Sequence, residues 1–540
     1  MGGFYGFINL ESLNKVIHHD ELKAGGLYSS NSENAQIQAD GFIYNLNNLK
    51  TRYGTPSENE ALKSCYEASP NRFPHELRGE FTAIESSLSG IKISTNQMCS
   101  RRVFYAQYNG TLFFHYNLKK LLTDLKEKGF TTKPNVLALR SLISIGGIYG
   151  NLTPVNEVYV LRAGETLSAS RSGVVLKKYY EVNSEPTSLS KHDFLGELHQ
   201  RFTSAVRDQY THQGVMGFQL LSGGLDSRMN LSLAAENGIR QQAVLCFGQT
   251  GYRDHWISEQ IAEAYNLEHD FVPLEPGNYL KAIDENVLAV DGLCFYASSA
   301  HFNYALEQTK YISPIIHTGQ VGRTIFTDHS FGLWQNLSEY KALLCSSKFA
   351  DKIDTEVKAE MQTYSDMDVF YLNNRLFRVI NSGNWVAQKT GCIVSPFSDP
   401  DIFDLAYTAL PEWKNDGQLQ WDYMWRFHKP IMKFAQEEFG RPIRSDAERL
   451  LGRVQNKLRN IYYKKINHHP EKLSMNPLEF WWNTNESLRK SLQEYFKANI
   501  NRLDHEAELK EDVSKLFHSS VFIEKTLALS VLGVMKNYID

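Results

Sequence analysis

An apolar run that ends in a string of small residues constrains this chain most. From Val215 to Leu221 only Gln219 interrupts the apolar sequence, and Ser222-Gly-Gly-Leu-Asp-Ser227 follows at once. A run of that length fits either a buried strand or a piece of core helix. The small-residue turn, and the helix expected from Arg228 to Asn237 with Gly238 to stop it, decide for the strand. Strand, glycine-rich turn and helix start together aim main-chain N–H groups and the positive end of a helix dipole at an anion. Gly223 and Gly224 let the backbone approach a phosphate closely, and Ser222 and Ser227 add hydroxyl donors. Asp226 would repel a bare phosphate, so its presence points to a bridging Mg²⁺.

Ser-Gly-Gly alone reads equally as an ordinary strand-to-helix turn. The full string at the end of a buried strand is more specific and resembles the pyrophosphate-binding loop of the ATP pyrophosphatases, which adenylate a substrate and release pyrophosphate. It is not a Walker A loop, because no Gly-x4-Gly-Lys-Ser/Thr string occurs.

The 540 residues are enough for two or three domains. A charged fraction of 22% and a hydrophobic fraction of 42% are ordinary for a globular protein. The formal net charge of −4 gives no electrostatic case for nucleic acid or an anionic membrane. No apolar run approaches the ~20 residues that span a bilayer, and the start, Met-Gly-Gly-Phe-Tyr-Gly6, lacks a basic leader. Cys65, Cys99, Cys246, Cys294, Cys345 and Cys392 are scattered, which suggests neither zinc nor a disulfide framework. These features lead us to expect a cytoplasmic enzyme.

From Gly3 to about Val182 short strands dominate. Phe4–Leu10, Gly41–Tyr44, Phe81–Ser86, Gly90–Ser94, Val103–Tyr108 and Thr111–Tyr116 are rich in aromatic and β-branched residues. Asn109-Gly110 signals a hairpin, and helices fit Glu58–Ala68 and Val136–Ser144. Two packed sheets are expected. Gly2-Gly-Phe-Tyr-Gly6, Asp40-Gly-Phe-Ile-Tyr-Asn45, Leu77-Arg-Gly-Glu-Phe81 and Arg101-Arg-Val-Phe-Tyr105 resemble, in order, the segments of class II glutamine amidotransferases. With the Ser222–Ser227 loop behind them, the whole chain resembles the asparagine synthetase family, whose relatives include the β-lactam synthetases and lasso-peptide cyclases.

The resemblance implies a glutaminase-like domain over residues 1–185 and an ATP-binding synthetase domain over 191–540, α/β and α+β in class. A two-sheet sandwich would come first, then a parallel-sheet ATP pyrophosphatase domain with a helical C-terminal part. Where the glutaminases carry their nucleophilic cysteine, this chain has Gly2, and Asp40 replaces the asparagine that stabilises the oxyanion. The first domain is therefore expected to be structural.

The polar stretch from Glu181 to Ser190 reads as a linker, and a helix is expected from Lys191 to Thr211. After the loop, strand and helix alternate as in a parallel sheet: strand Gln242–Phe247, helix Asp254–Asn266 with Asp254 as N-cap, strand His269–Val272. By resemblance Leu221, Phe247 and Gly248 would line an adenine pocket, although Phe247 reads equally as core, and Thr318 and Gly319 would touch ATP. Aligned on Gly319 and Phe326, a second metal carboxylate of the family becomes Arg323, which leaves Asp226 to hold a single Mg²⁺ while Arg323 neutralises phosphate. Asp291 and His301 lie where the acyl substrate should enter, one reading also as a helix cap and the other as a core histidine. Lys429, Lys433 and Lys457 match the family's catalytic lysine by position only, and the basic stretch Arg441–Lys465 reads as a solvated face before it reads as an anion site. Phe480-Trp-Trp482 reads as core.

The expected activity is an asparagine synthetase-like ligase using ATP and Mg²⁺. It would adenylate a small-molecule or peptide carboxylate and transfer the acyl group to an amine or ammonia, without glutamine hydrolysis, nucleic acid or membrane. The alternative is a nucleotide-binding relative without chemistry.

Overall fold

The computed structural model describes residues 2–211, 218–240, 243–311, 313–327, 337–341 and 343–539. Eleven strands build the first third: β1 (Gly3–Asn9), β2 (Lys15–Asp20), β3 (Gly26–Asn31), β4 (Gln36–Ile43), β5 (Gly79–Ser87), β6 (Gly90–Thr95), β7 (Phe104–Tyr108), β8 (Thr111–His115), β9 (Tyr159–Val160), β10 (Glu165–Ser170) and β11 (Gly173–Lys178). They form two antiparallel sheets, ordered β2-β1-β8-β7-β9 and β11-β10-β6-β5-β4-β3. Inward residues of both, among them Phe4, Ile8, Ile84, Ile93, Phe114 and Leu167, share one core. The β7–β8 hairpin turns on Asn109 and Gly110, both at positive φ (47° and 69°), as an Asn-Gly turn requires. The expected helices are present at Glu58–Ala68 and Val136–Ile145.

Residues 181–190 form neither helix nor strand, and a helix runs from Lys191 to Thr211. Next comes a five-stranded parallel sheet: β12 (Phe218–Leu220), β13 (Ala243–Gly248), β14 (Glu268–Pro273), β15 (Ile315–His317) and β16 (Cys392–Val394), in the order β14-β13-β12-β15-β16. Val215 to Gly217, Gln242 and Ile312, which the sequence assigns to the starts of these strands, lie outside the described residues. The chain order reverses between β12 and β15, and at such a switch point open α/β sheets bind ligands beyond the carboxyl ends of their strands. The C-terminal third is helical, and its helix Phe522–Val534 is buried at every position but Ile523. Of Phe480-Trp-Trp482 only Trp481 is fully buried, Phe480 being 37% exposed.

The sandwich is fastened to the rest by polar contacts that burial strengthens. Arg102 and Asp291 form an ion pair at 2.8 Å, both side chains fully buried. Asp291 also accepts from the Leu118 N–H at 3.2 Å and from Asn117 at 3.3 Å, so it is a structural tie and not a substrate contact. Tyr44 donates to Asp399 at 2.7 Å, and Arg78 pairs with Asp401 at 2.8 Å. The six cysteines form no disulfide. No helix among the described residues is long and apolar enough to cross a membrane.

Candidate active site

The loop after β12 begins its helix earlier than the sequence suggests. Gly224, extended at φ −80° and ψ 166°, is the N-cap, and the helix runs Leu225–Glu236, so Asp226 and Ser227 stand in its first turn. Gln219, the polar interruption of the strand, is buried and donates to the Ser227 carbonyl at 2.5 Å. It locks the strand to the turn it feeds.

Three successive N–H groups of the loop have oxygen partners. Ser222 donates to the Ser227 hydroxyl (3.1 Å), Gly224 to the Ser222 hydroxyl (3.2 Å), and Gly223 to the Asp254 carboxylate (2.6 Å). Of the three, the Gly223 N–H is the one that meets an anionic oxygen. Asp254 is not the N-cap expected from the sequence. Tyr252 holds that position, and Asp254 in the first turn of the Arg253–Tyr265 helix turns its side chain to the loop instead. From outside, Arg228 and the segment around Ala435 and Glu437 brace the loop. The Gly223 carbonyl accepts from Arg228 (2.8 Å) and from the Glu437 N–H (2.9 Å), and Arg228 also donates to the Ala435 carbonyl.

Gly319 and Gly322 permit the second close approach. A Cβ on Gly319 would lie 2.4 Å from the Ser227 nitrogen, and one on Gly322 would lie 2.5 Å from Asp226 Cγ. The turn after β15 therefore packs directly on the loop after β12. Asp226 Oδ2 accepts from the Arg323 N–H at 3.0 Å, and Oδ1 accepts from the Gln420 side chain. Burial outweighs both bonds and pushes the Asp226 carboxyl up to about 6. Burial likewise raises Asp254 to about 6. Arg323 lowers the first and Arg228 the second, and in both burial outweighs the nearby cation.

The sequence-chosen residues gather around two cavities. Leu221, Ser222, Gly224, Asp226, Ser227, Phe247, Thr318 and Gly319 line the first, of about 330 Å³. The second, of about 760 Å³, is lined by Gly223, Gly224, Asp226, Arg323, Gln420 and Arg453 among others. Gly224 and Asp226 border both and form the wall between them. Arg323 is exposed and belongs to the second cavity, and Gly248, the last residue of β13, lines neither. Of the basic stretch, Arg453 reaches the second cavity, whereas Lys429, Lys433 and Lys457 line neither.

Asp254 and Gln420 are site residues that the sequence does not single out as such. For Asp254 there was a signal, an acid at the start of the helix that follows a parallel strand. His301 lines the first cavity, half-buried, with its ring 5.7 Å from that of Phe247 and Nδ1 without a hydrogen-bond partner. Burial lowers it to about 4, so the imidazole is neutral.

The loop stands at the switch point of a parallel sheet, where open α/β sheets bind ligands, with one N–H turned to a carboxylate oxygen. Over residues 197–312 the chain matches the family model described as asparagine synthase. It is asparagine synthetase-like there. No curated protein sequence matches the chain. Solved structures that resemble it include the glutamine phosphoribosylpyrophosphate amidotransferase from B. subtilis, at 8% identity, covering 51% of this chain and 75% of that one with a TM-score of 0.23. The NMN synthetase from Francisella tularensis is 18% identical over 26% of this chain and 58% of that one, with a TM-score of 0.17. The U34-tRNA thiolase from Methanococcus maripaludis is 14% identical over 55% and 80%, with a TM-score of 0.21. Likeness at these TM-scores says nothing of activity.

Proposed function

We propose that the chain is an ATP-dependent carbon–nitrogen ligase that adenylates a carboxylate and passes the acyl group to an amine or ammonia, without hydrolysing glutamine. The observation that carries this is the shared wall of Gly224 and Asp226 between two cavities. The first has the size of a nucleoside-scale ligand site and an apolar flank of Leu221, Leu245 and Phe247 for a base. The second holds Arg323 and Arg453, which suit a departing pyrophosphate. A carboxylate oxygen of the substrate bonds to the α-phosphorus as the bridge to the β-phosphate breaks, and pyrophosphate carries away the electron pair. The amine then bonds to the acyl carbon, AMP leaves and the nitrogen gives up a proton.

The loop N–H groups and the Ser222 and Ser227 hydroxyls would orient the phosphates against that bond. Among the described residues no lysine or arginine lines the first cavity, so an acyl group entering it meets the Ser298 and Ser299 hydroxyls and the neutral His301. The residues present fit Mg²⁺, because Asp226 and Asp254 line the same cavity and burial raises both carboxyls despite the cations near them. Asp226 and Asp254 would hold the ion, which when bound offsets phosphate charge. That no lysine among the described residues lines either cavity favours the second reading, a nucleotide-binding relative without chemistry.

In the first domain Gly2 leaves no room for a nucleophile: a Cβ there would sit 2.0 Å from the Glu21 carbonyl oxygen. Asp40, where the oxyanion would lie, is buried between Arg101 (3.1 Å) and His19 (3.2 Å). Calorimetric titration with Mg·ATP tests the nucleotide site. The wild type is expected to bind and Asp226→Asn to bind at least about tenfold more weakly; equal affinity would remove Asp226 from the site.

A further inference from the structure

The helix that starts beside the loop ends at Glu236, and the helix that carries Gln420, Gln418–Phe427, ends with His428 as its C-cap. At those far ends His199, from the Lys191–Thr211 helix, joins them. His199, Glu236 and His428 each offer one ligand atom, and the three atoms lie within 4.8 Å of one another. None of the three lines either cavity.

His428 is fully buried; its Nδ1 lies 2.8 Å from Glu236 Oε1 and 3.0 Å from the Ser232 hydroxyl, and its Nε2 is buried with no hydrogen-bond partner. The His199 ring stacks on Phe427 with centroids 4.0 Å apart, and its Nδ1 lies 3.0 Å from the Tyr423 hydroxyl. With the proton on Nδ1, that bond fixes the ring and leaves the Nε2 lone pair for a ligand, as the outer partners of metal-binding histidines do. Two helices direct their C-terminal, partly negative ends to the cluster, and the last turn of the Leu225–Glu236 helix carries no basic residue. Arg426, in the other last turn, is engaged by the His192 carbonyl at 2.7 Å and by the Phe427 ring.

A histidine–glutamate ion pair would account for His428 and Glu236 alone. It gives no role to a second imidazole held in place by stacking and by a tyrosine. The geometry points to a zinc-type metal site in which His199, Glu236 and His428 are the protein ligands and water completes a four-coordinate ion. Two imidazoles and one carboxylate are a donor set that zinc takes at about 2.0–2.2 Å. Glu236, whose side chain is 37% exposed, gives the ion its way in. The ion would not touch substrate. It would clamp the far ends of the two helices whose near ends carry Asp226 and its partner Gln420, roughly 15 Å from Asp226 along the first helix.

The full chain, stripped with a chelator and dialysed, is titrated with zinc sulfate in the absence of nucleotide, so that the outcome does not depend on ligase activity. One zinc per chain is expected, with a zinc-induced rise in Tm, and cobalt(II) should give the intense visible bands of a four-coordinate site. His199→Ala should weaken zinc binding by about a hundredfold and Glu236→Gln by at least about tenfold, and both should lose the rise in Tm. No saturable zinc binding by the wild type would overturn the proposal, as would the same stoichiometry and affinity in His199→Ala. Should His199→Ala fail to fold, the surface variant Glu236→Gln decides alone, and unchanged zinc affinity in it is equally fatal.

Discussion

Asp226 and Arg323 touch through the main chain, and their charges act on each other only from a distance. The Arg323 N–H donates to Asp226 Oδ2 at 3.0 Å, while the guanidinium belongs to the exposed lining of the second cavity. The two parts of Arg323 therefore do separable work. Arg323→Ala keeps the bond to Asp226 and removes only the cation, so ATP affinity should fall by about tenfold, a modest loss because the exposed charge is screened. Salt should weaken ATP binding to the wild type more than to the variant. Equal affinities at low salt would exclude the guanidinium from the phosphates.

Burial holds Asp226 and Asp254 at about 6, above the ordinary carboxylate range. A metal ion binds the ionised forms, so Mg·ATP affinity should rise with pH through about 6 and level off above it. At pH 5 the loss should be about tenfold for each carboxylate that must ionise. For stability the sign is opposite. The folded chain binds more protons than the unfolded one between the unfolded and folded pKa values, so these groups make stability fall as pH rises through that window. Gln420→Ala removes a donor to the Asp226 carboxylate and should move the binding midpoint to higher pH. An affinity flat from pH 5 to 8 would show that neither carboxylate faces the ligand.

Gly319→Ala should cost nucleotide binding far more than it costs the fold. The new methyl would fall 2.4 Å from the Ser227 nitrogen, so one of the two turns must move and the loop loses its shape. We expect ATP affinity to drop by more than about tenfold, with far-UV circular dichroism unchanged. Wild-type affinity in this variant would mean that the two turns do not meet around the nucleotide.

The strands with continuous aromatic and β-branched sequence, such as β5, β7 and β8, were legible, as were the hairpin at Asn109-Gly110 and the helix at Lys191–Thr211. Strands β2, β3 and β10 were not, because their residues are largely polar and only their pairing with neighbours marks them. The loop residues of the site were legible since their type and order carry the chemistry. Their partners were not: Asp254 meets Gly223 across 31 residues and Gln420 meets Asp226 across 194. Juxtapositions of that range come from the sheet order and the helical C-terminal part, which no local pattern records.

Gly2→Cys should not create a glutaminase. The space a side chain would need is filled by the main chain of Asp20 and Glu21, and Asp40 would still oppose an oxyanion. Forcing a thiol into that space should destabilise the fold by about 1–3 kcal/mol. Glutamate release from glutamine by the variant, measured against a boiled control, should stay at background. Release above background would show that the first domain has kept its catalytic frame.

The most direct test of the central claim, that the Ser222–Ser227 loop supports adenylation, is exchange of labelled pyrophosphate into ATP across a panel of carboxylic acids and carboxylate-ended peptides. At least one acid should drive Mg²⁺-dependent exchange in the wild type and none in Asp226→Asn. Mg·ATP binding without exchange for any acid would contradict the ligase and leave a nucleotide-binding protein in its place.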